Sequence, residues 1–101
     1  MNYAIDPQAI YQLINSDAIF IDIRDQFQFD KLHIKNFIHV SYHDFMNFIS
    51  TIDKNKSIYI ICYSGGLAKK LTYQLRNLGY KAYYFEGGFQ AFLNPPSKIY
   101  F

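Results

Sequence analysis

The stretch Ser57-Ile58-Tyr59-Ile60-Ile61 constrains the fold more than any other part of the chain. Its last four residues are all strand formers, so a β-strand is predicted here. The strand leads straight into Cys62 and a Gly-containing turn, Tyr63-Ser64-Gly65-Gly66. A helix follows from about Leu67 to Leu78, with Leu71, Leu75 and Leu78 on one face. Gly79 stands where a left-handed helix cap is favoured. A strand, a tight turn and a helix in immediate succession form half of a β–α–β unit.

The same alternation runs along the rest of the chain. Asn2 to Ile5 is a short candidate strand. Asp6 and Pro7 then start a helix, as N-cap and first helical residue, and Ile10, Leu13 and Ile14 give it an apolar side. Ala18 to Ile21 is a short apolar run bounded by Asp17 and Asp22, as expected of a strand buried on both faces. Gln26 to Lys31 suits a short helix, and Asn36 to Val40 another strand. Ser41 with Asp44 resembles a capping box that opens a helix through Phe45, Phe48 and Ile49. Lys81 to Phe85 is a further strand, Gly87-Gly88 begins a last short helix through Phe92, and Pro95-Pro96 ends regular structure. Residues 97–101 are expected to cover a sheet edge or an apolar surface. Alternating strands and helices predict an α/β fold with about five strands, mainly parallel, covered by helices on both faces. With 101 residues and no linker or repeat, residues 1–101 are expected to form one domain.

Composition narrows the functional classes. Half of the residues are hydrophobic and 20% are aromatic, which suits a packed core. The net charge is +2 and the basic residues are scattered, so no nucleic-acid stripe is present. His33, His39 and His43 lack a convincing ligand spacing, and the chain has a single cysteine, so neither a metal site nor an internal disulfide is expected. The opening MNYAIDPQAIYQL lacks the basic and apolar regions of a secretory signal, and no apolar run approaches the ~20 residues of a membrane span. A cytoplasmic setting is expected, where a free thiol stays reduced.

Cys62 is the candidate reactive group. In parallel α/β sheets, ligands bind beyond the carboxyl ends of the strands, and Cys62 stands at such an end. The first turn of a helix has unpaired N–H groups and partial positive charge, which favour a thiolate. Gly65 and Gly66 let the backbone curl so that several N–H groups converge on one anion. The competing reading is that Cys62 is a small buried hydrophobe, as free cysteines often are.

Four segments, in order, resemble the rhodanese family of thiosulfate sulfurtransferase-like proteins. Ile21-Asp22-Ile23-Arg24-Asp25 resembles its Asp-x-Arg segment. His33-Ile34-Lys35-Asn36-Phe37-Ile38 resembles its Gly-His-Ile-x-Gly-Ala segment. Ile60-Ile61-Cys62-Tyr63-Ser64-Gly65 resembles its active-site strand and loop. Tyr84 to Phe92 resembles its closing segment, with Phe92 where Trp is usual. The resemblance implies a rhodanese-like three-layer sandwich. It also implies a catalytic Cys62 that takes up sulfane sulfur as a persulfide, cradled by Tyr63, Ser64, Gly65, Gly66, Leu67 and Ala68. The donor would be thiosulfate or a protein persulfide and the acceptor a thiol or cyanide, with no cofactor, by covalent cysteine catalysis.

The chain departs from that pattern in its loop. Leu67 and Ala68 replace the usual Arg and Ser, so a fixed charge for an anionic donor is missing. Leu32 and Asn36 replace two glycines of the His33 segment. Arg24 is a candidate substitute cation, while Asp22 is expected to anchor loop backbone. Lys69 and Lys70 either serve an anionic partner or lie on a solvated helix face. His33 is expected to bridge a loop. The loop's losses also fit a second function, a rhodanese-like binding or regulatory module with little turnover. A cysteine phosphatase would need Arg at position 68, where Ala stands, and a thioredoxin-like role would need a second Cys.

Overall fold

In a computed structural model the described residues are 2–93; the expectations for Pro95-Pro96 and residues 97–101 lie outside them. The strands are β1 (Ala4–Ile5), β2 (Ile19–Asp22), β3 (Ile38–His39), β4 (Ser57–Ile61) and β5 (Lys81–Phe85). The helices are α1 (Ile10–Leu13), α2 (Gln26–Lys31), α3 (Phe45–Ile49) and α4 (Gly66–Asn77), with 3-10 turns at Pro7–Ala9 and Phe89–Phe92. The five strands form one sheet in the order β1-β5-β4-β2-β3. Every neighbouring pair is parallel. The architecture is the expected α/β sandwich, a parallel five-stranded sheet with helices on both faces.

Alternation along the strands builds two cores. Ile21 and Ile23, Ile58, Ile60 and Cys62, and Ala82 and Tyr84 face one way and pack with Phe45 and Ile49 of α3 and with Leu71 and Leu75 of α4. Phe20, Tyr59, Ile61 and Phe85 face the other way, toward Ile10, Ile14, Phe89 and Phe92. The register sets Phe20, Tyr59 and Tyr83 side by side on neighbouring strands. Their rings stack across the sheet, with centroids 5.4 and 5.1 Å apart. Cys62 continues the Ile58–Ile60 side of β4, so its side chain points toward α4.

Chain order determines where this sheet opens. After β2 the chain moves outward to β3, on one side; after β4 it moves to β5, on the other. β2 and β4 are neighbours, so the two connections diverge between them. Ligands of open parallel sheets bind in the crevice at such a switch point. The segments that emerge there are Ile23 to Asp25 and Cys62 to Gly65.

Several local expectations change. The strand predicted for Asn36 to Val40 shrinks to Ile38–His39, because Lys35 and Asn36 form a turn. Asn36 has φ 72°, a left-handed conformation that Asn tolerates better than most residues. Its side-chain amide donates to the Ile14 carbonyl at 2.7 Å, tying this turn to the end of the first helical segment. Asp6 caps as expected, accepting from Gln8 N–H at 2.9 Å, but the first turn it caps is 3-10 rather than α. Ser41 Oγ accepts from Asp44 N–H at 3.2 Å and sets up the turn before α3. The last helix predicted from Gly87-Gly88 is a 3-10 turn, Phe89–Phe92.

Candidate active site

Cys62 is the first residue past β4, and the chain must turn there at once to enter α4. Gly65 makes the turn with φ 102°, a left-handed conformation that suits glycine. The turn brings the sulfur beneath the start of α4. Cys62 Sγ accepts from Gly65 N–H at 3.1 Å and from Ala68 N–H at 3.3 Å. Two of the amides that a helix start leaves unpaired thus converge on one sulfur. Gly66 and Leu67 lie between them, and their N–H groups also lack intrahelical partners. The sulfur sits in a shallow mouth, since Cys62 is 7% exposed while Tyr63 is 48% and Leu67 37% exposed. Ser64 and Gly66 are exposed, Gly65 and Ala68 buried.

The segment after β5 holds this loop from below. Phe89 N–H donates to the Cys62 carbonyl at 2.8 Å, and Gln90 N–H to the Tyr63 carbonyl at 3.1 Å. Gly88 makes the approach possible. Its φ and ψ of 64° and −157° belong to a region almost confined to glycine. A Cβ there would meet Gly65 N and Tyr63 O at 2.6 Å and Cys62 O at 2.7 Å. In sequence Gly87-Gly88 reads only as the start of a short helix through Phe92; the positioning of Cys62 by Gly88 and Phe89 goes unseen. The adjacent glycines were its only local signal.

Asp22 and Arg24 stand on the other side of the switch point, at the end of β2. Asp22 Oδ1 accepts from Arg24 N–H at 3.0 Å, which turns the chain out of the sheet. The two side chains form a buried ion pair at 2.8 Å. Arg24 also donates to the Leu32 carbonyl at 2.7 Å. Its guanidinium lies 3.6 Å from the centre of the Phe89 ring. Arg24 Nε and Nη2 are thus committed to the fold, and the stacked guanidinium braces Phe89, whose N–H holds the Cys62 carbonyl.

The remaining candidates lie apart. Lys69 and Lys70 are exposed on α4. His33 Nδ1 is 2.9 Å from the Phe29 carbonyl and its ring stacks on Phe29 at 3.9 Å. His39 Nε2 is 2.6 Å from the Arg24 carbonyl, which ties β3 to the segment after β2. An open groove of about 570 Å³ beside β3, lined by His39, Ser41, Asp44, Asn47 and Phe48 among others, includes none of residues 62–68. Among the described residues, no three His, Cys, Asp or Glu side chains are grouped to hold a metal ion.

The sequence profile of the rhodanese-like domain matches residues 6–95. The chain belongs to the rhodanese-like domain family. A thiosulfate sulfurtransferase GlpE from Pseudomonas savastanoi pv. phaseolicola is 29% identical over 87 residues, covering 85% of this chain and 82% of the relative. The GlpE of Haemophilus influenzae is 31% identical over 77 residues, covering 76% and 73%. The crystal structure of a rhodanese-like domain protein from Staphylococcus aureus superposes with a TM-score of 0.80 at 22% identity, covering 98% of each chain. The last likeness is one of fold. Among the described residues of this rhodanese-like domain, no helix is long and apolar enough to cross a membrane.

Proposed function

We propose that this rhodanese-like domain moves sulfane sulfur through a persulfide on Cys62. The observation that carries the reading is the pair of amides, Gly65 N–H and Ala68 N–H, aimed at Cys62 Sγ. They are aimed where negative charge develops on the sulfur during exchange, and their fixed directions need no rearrangement during reaction. The thiolate attacks the outer sulfur of a donor. With thiosulfate, Cys62–SH and S–SO3(2−) give Cys62–S–SH and sulfite. The sulfur–sulfur bond of the donor breaks as the new one forms, and sulfite leaves with the bonding pair. A thiol or cyanide then takes the outer sulfur and regenerates Cys62, the two halves of a ping-pong exchange. The unpaired N–H groups of the first α4 turn suit the outer sulfur of the persulfide. The sulfurtransferase names of the GlpE relatives support the same reading. We place the activity in one domain spanning residues 1–101, in the cytoplasm, with no cofactor.

The test is intact mass after separate incubation with thiosulfate and with an organic hydropersulfide, beside Cys62→Ser. A gain of one sulfur atom, absent from the variant and removed by cyanide with release of thiocyanate, is expected. If neither donor adds sulfur to Cys62, the transfer reading falls, and a rhodanese-like binding module with little turnover replaces it.

A further inference from the structure

We infer that the mouth over Cys62 selects an organic hydropersulfide, R–S–SH with an uncharged apolar R, over a small dianion, and that Leu67 sets this preference. The inference rests on the sulfur-transfer reading above and specifies its donor. Residues 62–68 contain no charged side chain. The exposed side chains of this loop are the ring of Tyr63, the hydroxyl of Ser64 and the isobutyl group of Leu67. None offers a fixed charge, whereas Tyr63 and Leu67 offer apolar contact to a carbon group bonded to the donor sulfur.

The surroundings strengthen the contrast. Arg24, across the crevice, has Nε and Nη2 engaged by Asp22 and the Leu32 carbonyl and its guanidinium stacked on Phe89, so its charge is already balanced by the Asp22 carboxylate. Lys70 lies two residues beyond Ala68, whose side chain is fully buried against the sheet. Two residues turn the helix by about 200°, so Lys70 leaves on the side away from the sheet. The exposed charges that immediately follow the strands at this edge are acidic: Asp6 after β1, Asp25 after β2 and Glu86 after β5. A dianion meets an edge whose exposed charges are acidic and a loop that carries no cation of its own. A neutral persulfide needs no cation and buries its R group on Tyr63 and Leu67.

The step balances without a co-reactant. The Cys62 thiolate attacks the outer sulfur of R–S–SH, the donor's S–S bond breaks, and R–S(−) leaves. Cys62–S–SH forms, and no net oxidation occurs.

The experiment compares single-turnover loading of Cys62, read by intact mass, from thiosulfate and from benzyl hydropersulfide. It is run on the full chain and on the Leu67→Arg and Leu67→Gln variants. Each variant's rate is divided by the parent's rate for the same donor, which removes the donors' intrinsic reactivities. Leu67 is partly exposed, so both variants should fold, and thermal melting checks this. Leu67→Arg should raise thiosulfate loading about 10- to 100-fold, the scale of a new charge-assisted hydrogen bond, and should not raise benzyl loading. Leu67→Gln, which adds polarity without charge, should raise thiosulfate loading much less. Persulfidated serum albumin forms a third arm. Loading from it as well as from the benzyl donor assigns protein-borne persulfides to the same chemistry, and loading from the benzyl donor alone assigns small ones. Equal relative effects of Leu67→Arg on thiosulfate and benzyl donors would overturn the role of Leu67, with sulfur transfer itself intact. Failure of every donor to load Cys62 would instead remove the transfer reading beneath it.

Discussion

Gly88→Ala tests whether the segment after β5 is what holds the Cys62 loop. Two costs add at this residue. The backbone conformation, φ 64° and ψ −157°, is one that a residue with a Cβ occupies only at a cost of ~1–3 kcal/mol. The new Cβ would also lie 2.6 Å from Gly65 N and Tyr63 O and 2.7 Å from Cys62 O, all backbone atoms that cannot swing aside. Ordinary contact begins near 3.4 Å, so a gap of roughly 0.8 Å must open between the two loops. Opening it stretches the hydrogen bonds from Phe89 N–H to Cys62 O and from Gln90 N–H to Tyr63 O, which are 2.8 and 3.1 Å long. Each contributes ~1 kcal/mol. Together these terms predict a loss of about 3–5 kcal/mol, a large part of the ~5–15 kcal/mol that stabilises a typical domain.

The control is Gly66→Ala, in the same loop and only one residue past Gly65. A Cβ at Gly66 would meet nothing within 4 Å, and its φ is outside the left-handed region. That change should be neutral or stabilise by up to ~1 kcal/mol, by narrowing the unfolded ensemble. Urea unfolding followed by far-ultraviolet circular dichroism measures both variants against the parent protein. If Gly88→Ala came within 1 kcal/mol of Gly66→Ala, the close approach of the two loops would not be what fixes Cys62.

Two further outcomes follow from the buried polar groups. Asp22→Asn leaves the Arg24 guanidinium buried without its counter-charge and should cost about 3–5 kcal/mol in urea unfolding; adding Arg24→Met should recover part of the loss, and a double variant no more stable than Asp22→Asn would contradict the pairing. Burial, and then the neighbouring Tyr83, push the Tyr59 phenol above the value of about 10 of an ordinary tyrosine. Both states hold the Tyr59 proton below that pH; above it the unfolded chain releases the proton first, so stability falls as pH rises toward the folded-state value. Tyr59→Phe should make the alkaline decline of stability shallower, and an unchanged slope in unfolding between pH 9 and about 11 would refute the assignment.

What the sequence made legible was local and periodic. Ser57–Ile61, Lys81–Phe85 and Gln26–Lys31 fall where they were expected; the two strands are short runs rich in β-branched and aromatic residues, which favour strands. The Asn36–Val40 strand failed for a related reason. Its apolar residues satisfied the pattern, but an Asn at φ 72° and its amide bond to Ile14 made a turn that only the packed neighbour rewards. The order of strands, and so the crevice between β2 and β4, depends on which distant segments pair; no local pattern carries it.

The site divides along the same line. Cys62 and its Gly65-Gly66 turn were readable because a strand end, a cysteine and a helix start are adjacent in sequence. The devices that fix them are not adjacent: the Cys62 carbonyl is held by Phe89, and Phe89 is stacked under Arg24, which Asp22 holds. This chain of contacts gives Arg24 a bracing role that its reading as a substitute cation did not include. A guanidinium paired with a carboxylate in a buried setting stays there, since separating the pair leaves a bare charge on each side. The ion pair thus supports the geometry of the loop, whose exposed side chains are those of Tyr63, Ser64 and Leu67.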